Sequence, residues 1–414
     1  MRIGVCSTVT IVCTTASCIG GNDASTEPRT SPTFSTTDSA GIQIAVTAGD
    51  RARSPVGWRI LDAPDLRLGS EGMDSVVFFE ATGVRQLSDG NIVVLDGGDR
   101  SLKFFDANGA LTYRTGRRGS GPGEFEYPVL VPDPATDSLL VWDIRRVRLS
   151  IYSDHGRTHR LLRPPSWAGG RPPGGFAKSK ALVDHSPVPI PTADAQTGVW
   201  ESPRVYSWID IATGQRATVD TIVQRYYLDT SPGGVPQIGE IPFTAASSAV
   251  VRGTEAWLTG GGAARIQVHD LDGKLIQSIR VTGIRRPVTD ADLNGLIDAM
   301  TLNSNISRDY WERTYSARPI PDSLPTFVSM MVDVRGHVWA EVYEWDTAVL
   351  TEWIVFESSG RALGSVRTPR GLEIHQVGTN FILGVRKDSD GIDWVERYVL
   401  VRDTSEATRR ASAP

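Results

Sequence analysis

The middle of the chain alternates short apolar runs with turn residues in a fixed order. In residues 89–109 the run Ile92-Val93-Val94-Leu95 is followed by Leu102 to Phe105 and then by the turn Asp106-Ala107-Asn108-Gly109. Residues 136–156 repeat the order at an offset of 47 without a gap. Ile92 aligns with Leu139, Val94 with Val141, Asp96 with Asp143, Leu102 with Leu149, Phe105 with Tyr152 and Gly109 with Gly156. A continuous apolar run bounded by turn residues predicts a strand covered on both faces. Gly109 supplies the positive φ that such a turn needs.

More diverged copies follow. Residues 254–259 and 265–270 precede the turn Leu271-Asp272-Gly273-Lys274, and residues 333–360 repeat the order with Phe356 and Gly360 in the places of Phe105 and Gly109. Weaker copies hold Val205 to Asp210 with the turn Ala212-Thr213-Gly214, and Thr379 to Arg386 with Asp393 to Val401. A period of about 40–50 residues with several short strands per unit is that of β-propeller blades. The expected fold is an all-β, six-bladed propeller over 42–402, with units near 76–117, 125–163, 174–223, 240–282, 324–368 and 370–402. The sixth unit is one strand short. Trp58 to Leu61 or Leu66 to Leu68 would complete it from the N-terminal side and so remove an open edge.

Residues 287–323 break the pattern. Thr289 can cap a helix carrying Asp290 and Asp292 in its first turn, and Leu293, Leu296, Ile297 and Met300 form an apolar stripe. A shorter helix is expected over 308–315, before Pro319 and Pro321. This helical insertion, between units four and five, is either a pair packed on the rim or a lid over a cavity.

Composition fits a punctuated β chain. The 41 glycines and 25 prolines among 414 residues exclude a long helical bundle. A net charge of −5 excludes bulk attraction to nucleic acid. The cations are strongly biased, with five lysines against 38 arginines. Arginine forks recognise carboxylates and phosphates, although an evenly spread bias would merely solvate the surface.

The three cysteines, Cys6, Cys13 and Cys18, all lie in the first eighteen residues, so the body has neither a disulfide nor a cysteine-based zinc site. Met1-Arg2 and the uncharged stretch behind it read as an export signal over 1–18. Thr15-Ala16-Ser17-Cys18 resembles a bacterial lipobox, which implies lipidation of Cys18. A polar segment over 19–41 then reads as a flexible tether, and 403–414 as a disordered tail.

The run Gly116-Arg117-Arg118-Gly119-Ser120-Gly121-Pro122-Gly123-Glu124-Phe125, with Pro128 after it, resembles the blade junction of NHL-repeat propellers. Asp38 to Ile42 and the turn Leu87-Ser88-Asp89-Gly90 add a likeness to six-bladed propellers of exported bacterial proteins, whose function is largely uncharacterised. That resemblance implies a periplasmic protein or a membrane-anchored lipoprotein, monomeric, with membrane contact only through the anchor.

The chemistry is less legible. The glycine-rich junction lacks the Lys-Ser/Thr ending of a phosphate loop. Glu80, Asp184 and Glu240, near the expected starts of inner strands, are candidate ligands for a divalent cation such as calcium; otherwise no cofactor is expected. His155 and His159 stand four apart around Gly156, and no histidine falls at a recurring inner-strand position. Trp142, Trp208, Trp257, Trp339 and Trp353 read as packing, and Trp345-Asp346 as an exposed pair. The expected function is a non-catalytic binding module for a protein, peptide or saccharide at the cell envelope. The alternatives are a metal-dependent hydrolase or lyase in the central channel, and a purely structural protein.

Overall fold

The computed structural model describes residues 33–69, 76–132, 136–153, 155–163, 174–185, 196–230, 236–260, 262–302, 304, 306–344 and 350–402. Residues 1–18 with Cys18, the first part of the tether, Trp345-Asp346 and the tail 403–414 lie outside them.

The described residues form six mainly antiparallel sheets in chain order, with one small two-stranded parallel pair between the first and second. The first holds Ala81–Gln86, Ile92–Asp96, Ser101–Phe105 and Leu111–Thr115. The second holds Pro128–Val131, Leu139–Asp143, Arg148–Ser153 and Thr158–Leu162. The third begins with Gly175–Ala177 and Lys180–Asp184, continues through the long hairpin Gly198–Asp210 and Arg216–Asp229, and ends on Gln237–Glu240. The fourth runs from Ser248–Arg252 through Glu255–Thr259 and Arg265–His269 to Leu275–Thr282. The fifth comprises Phe327–Val332, Val338–Val342, Leu350–Phe356 and Ala362–Pro369. The sixth comprises Leu372–Val377, Phe381–Lys387 and Asp393–Arg402.

Both N-terminal candidates complete the sixth sheet. Trp58–Ile60 and Leu66–Leu68 each pair antiparallel with Asp393–Arg402, at its two ends. The expected tether ends earlier than 41, because Phe34–Ser39 is a strand paired with Ile42–Ala48. Ile42–Ala48 in turn adds in parallel to Leu275–Thr282, which extends the fourth sheet.

Burial shows how the sheets sit together. The described residues contain six clusters of buried apolar side chains, and each straddles two sheets consecutive around the chain. Val93, Leu95 and Phe104 of the first sheet meet Phe125, Leu139 and Val141 of the second. Trp142 and Leu149 meet Ala181, Val183 and Ile209; Tyr206 and Trp208 meet Ala256 and Leu258. Trp257 and Ile266 meet Phe327 and Phe356; Trp339 and Val355 meet Ile382 and Tyr398. The last cluster packs Leu383 and Val395 of the sixth sheet against Val84, Ile92 and Phe105 of the first, which closes the ring. The architecture is β-propeller-like, and the tryptophans fill the wedges between sheets.

The turn glycine that recurs in sequence has a second role. Gly109, Gly156, Gly273 and Gly360 all have φ between +80° and +90°. Each also presses on the sheet before its own. A Cβ at Gly109 would lie 2.8 Å from Leu68, and one at Gly360 2.9 Å from Ala45. At Gly156 it would overlap the Phe104 ring, and at Gly273 the Thr218 carbonyl oxygen. Glycine recurs because the turn needs a left-handed residue and the neighbouring sheet leaves no room for a side chain.

The glycine-rich junction is a structural bolt. Arg117–Arg118 pairs in parallel with Glu124–Phe125. The Glu124 carboxylate accepts from the Gly121 amide at 2.8 Å and from Arg117 Nε at 2.9 Å. Arg148, buried, donates to the carbonyls of Ser120, at 2.7 Å, and Glu124. The aligned aspartates do similar work. Asp96 and Asp143 are fully buried, and each accepts backbone amides from the segment entering its sheet: Phe79 and Glu80 for Asp96, Glu126 and Tyr127 for Asp143.

Residues 287–323 hold two helices, Asp290–Leu302 and Arg308–Ser316. The amide of Asp292 donates to Thr289 Oγ1 at 3.3 Å while the Asp292 carboxylate accepts from the Thr289 amide at 2.9 Å, a reciprocal cap. After the helices, Arg318 Nη1 donates to the Glu240 carbonyl at 2.7 Å, which ties the segment to the last strand of the third sheet.

Candidate functional site

The first strands of all six sheets line two adjoining voids. One, of about 60 Å³, lies among Val84, Leu130, Val131, Val332, Val334 and Val377, with Arg85, His375 and Gln376. The other is a cavity of about 580 Å³ bounded by the first strands of the third to sixth sheets and by Pro132. Pro132, Val332, His375 and Val377 border both, so the two voids adjoin.

The cavity wall is mostly apolar: Phe176, Val250, Met330, Met331, Trp353 and Ile374 face it. Among the described residues its ionisable side chains are Glu341, Glu373 and His375, and no described lysine or arginine lines it. Glu341 lies opposite Ser329 across the first two strands of the fifth sheet and accepts its hydroxyl at 2.6 Å. Glu373 and His375 both come from Leu372–Val377, the first strand of the sixth sheet. His375 Nε2 lies 3.8 Å from the Glu373 carboxylate, beyond hydrogen-bonding reach. That nitrogen is buried and has no hydrogen-bond partner among the described residues.

A β-bulge puts His375 there. The ladder to Phe381–Lys387 pairs Ile374 with Gly384 and Gln376 with Leu383, and His375 is the extra residue between them. Bulges re-aim a side chain that regular alternation would place elsewhere. Burial holds the His375 imidazole below its ordinary value of 6.5, with Glu373 opposing. The ring is therefore neutral at pH 7, and the cavity carries two carboxylates without a counter-cation. An orphaned buried nitrogen is costly unless something bonds to it.

The three carboxylates read from sequence do not gather here. Glu80 is exposed ahead of the first sheet. Asp184 ends the second strand of the third sheet and pairs with Arg204 at 2.9 Å. Glu240 belongs to the last strand of the third sheet, because the hairpin 198–229 carries that sheet further along the chain than the repeat suggested. Among the described residues no three of His, Cys, Asp and Glu stand close enough to hold a metal ion. His155 pairs with Asp89 at 2.7 Å, whereas His159 stacks on Tyr152, so those two histidines do not converge. No histidine was expected at a recurring inner-strand position, and His375 stands on one inner strand, Leu372–Val377, where sequence reasoning did not single it out. Its only sequence signal was a histidine two residues after a glutamate in an otherwise β-rich run. No described residue of 287–323 lines this cavity; Pro319 to Ser323 line a separate groove beside the third sheet.

A closed ring of sheets with a ligand-sized cavity on its axis defines a propeller-type protein. Solved structures with a similar arrangement share little sequence with it. A member of the DUF4221 family from Bacteroides vulgatus is 11% identical, with 83% of this chain and 99% of that one covered and a TM-score of 0.45. Virginiamycin B lyase from Staphylococcus aureus is 10% identical over 83% of this chain and 100% of that one, at a TM-score of 0.36. Regucalcin from Agrobacterium tumefaciens is 8% identical over 78% and 92%, at 0.31. No protein-family model and no curated protein matches the sequence.

Proposed function

We propose that the chain is an exported, NHL-like six-bladed propeller that acts as a binding module at the cell envelope. In this reading the six sheets are its blades. Residues 1–18 are the export signal, Cys18 is the site of lipidation, and the polar residues up to 32 tether a monomeric body in the periplasm or on the membrane. The partner is a peptide or saccharide that presents an ammonium group to the axial cavity, such as a peptide N-terminus or an amino sugar.

One observation carries the ligand class: among the described residues the cavity lining holds Glu341, Glu373 and a neutral His375 but no cation, in a chain with 43 lysines and arginines. An ammonium group satisfies a carboxylate and can donate to the orphaned Nε2, and the apolar wall takes the ligand's body. The volume is that of a small-molecule site, where a few placed polar groups set orientation.

Isothermal titration with phenylalanyl-leucine amide, and with the same dipeptide N-acetylated, tests the reading. The free amine is expected to bind at least about tenfold more tightly, a difference of about 1.4 kcal/mol. Glu373→Gln is expected to narrow that gap. Equal binding of the two peptides, or none of either at millimolar concentration, contradicts it.

A further inference from the structure

A second groove, of about 970 Å³, runs between the fifth and sixth sheets. Its chemistry is the reverse of the channel's. Arg53, Arg59, Arg367, Arg370 and Arg386 line it, against a single lining carboxylate, Asp62. Arg53 is neutralised by Glu344 and Glu352, and Arg386 by Glu396. Arg59 and Arg367 are exposed, and no side-chain partner is found for either among the described residues. In a protein of net charge −5 this is a local excess of positive charge.

The backbone around the groove is also unfinished. Trp58–Ile60 and Ala362–Pro369 are the outermost strands of their sheets. Consecutive residues of each line the groove, namely Trp58 to Leu61 and Ser365 to Arg367, so it meets strand edges as well as side-chain faces. Leu61 donates to the carbonyl of its opposite residue Val399 at 3.1 Å, so the N–H and C=O of Ile60 turn away from the sheet. Ser365 uses its outward groups on Ser54 and Val56. Arg367, two residues on, turns its own the same way. Trp58, Ile60 and Leu350 supply apolar surface beside the arginines.

We propose that this groove binds an extended acidic peptide of a partner protein. The peptide adds as a strand to one of the open edges, its carboxylates on Arg59 and Arg367 and its alternate side chains on the apolar wall. Backbone pairing supplies affinity, and side chains of alternating kind supply specificity. The arginine fork favours the carboxylate partner.

Fluorescence anisotropy with a labelled Glu-Val repeat hexapeptide tests this. The full chain is expected to bind it, and 0.5 M salt is expected to weaken binding about tenfold or more. The double substitution Arg59→Gln and Arg367→Gln is expected to do the same. The Lys-Val hexapeptide is expected not to bind. A peptide N-methylated at alternate residues tests strand addition and is expected to bind several-fold more weakly. Both arginines are exposed, and an unchanged thermal midpoint verifies that the variant folds. Equal binding by the double variant overturns the proposal, as does binding of phosphatidylglycerol vesicles or inorganic phosphate in place of the peptide. Neither arginine touches the channel, so binding of dipeptide amines stays unchanged in the variant and separates failure here from failure of the channel reading.

Discussion

Two turns with the same chemistry sit in different surroundings, which makes them a matched pair. Asp270-Leu271-Asp272-Gly273 and Asp388-Ser389-Asp390-Gly391 each close with the glycine amide donating to the first aspartate's carbonyl at 3.1 Å. In each, that aspartate's carboxylate also accepts two backbone amides at 2.9–3.0 Å. The glycines have φ of +82° and +80°. A Cβ at Gly391 meets nothing within 4 Å, whereas one at Gly273 overlaps the Thr218 carbonyl of the preceding sheet. Alanine in the left-handed region costs about 1 kcal/mol at either site. Forcing backbone apart at Gly273 adds about 1–3 kcal/mol. Gly391→Ala should therefore destabilise by about 1 kcal/mol and Gly273→Ala by about 2–4 kcal/mol. At roughly 2–4 °C per kcal/mol for a large domain, their thermal midpoints should differ by several degrees. Calorimetry of the two variants measures the difference. Equal midpoints would refute the claim that the recurrent glycine is fixed by contact between sheets as well as by its turn.

Further outcomes follow from buried charges. Asp333 is buried, which alone would raise its pKa, but His337, and Arg402 at 2.9 Å, hold it down at about 2. A depressed carboxylate stabilises the fold above its unfolded pKa and loses that contribution as pH falls to the folded one. About 2 kcal/mol should thus disappear between roughly pH 4 and 2. Asp333→Asn should flatten that limb of urea midpoint against pH, and an unchanged limb would show that the network is not formed. Arg148→Met leaves the Ser120 and Glu124 carbonyls without this donor and removes the cation 3.6 Å from the buried Asp143 carboxylate, and should destabilise by about 3–5 kcal/mol in urea titrations. His375 titrates below 6.5, so amine binding should hold at pH 7 and fall only in more acid solution. A loss complete by pH 7 would contradict a neutral imidazole in the cavity.

The parts of the fold that were legible in the sequence are those where local pattern and burial coincide. Ile92 to Leu95 and Leu139 to Trp142 lie between neighbouring sheets, so both faces demand apolar residues and the repeat survives there. Pairing across long separations left less trace. Ile42–Ala48 joins Leu275–Thr282 more than two hundred residues away, and its alternating apolar residues announce a strand without naming its partner. The candidate site was hidden for another reason. A bulge adds one residue to a strand, and with it the alternation that assigns side chains to a face no longer holds. His375 could not be placed on the channel without knowing where the ladder slips. The displaced assignment of Glu240 has a different origin, since the extended hairpin of the third sheet moves its boundary with the fourth past Glu240.

Closure of the ring carries the rest: strands from the N-terminal side complete the sixth sheet, and Leu68 of one of them packs with Leu383 and Val395 against the first sheet. Arg59 and Val401 are opposite each other in that pairing. Opposed Cα atoms in an antiparallel pair lie about 4.5–5.5 Å apart, within disulfide range. With Cys6, Cys13 and Cys18 changed to serine, the variant Arg59→Cys/Val401→Cys should oxidise quantitatively to an intramolecular disulfide in the folded protein, read by mass spectrometry. Arg59→Cys/Arg397→Cys, four residues out of register, should remain reduced. Failure of the first pair to close, or equal closure of the second, would contradict the closed ring.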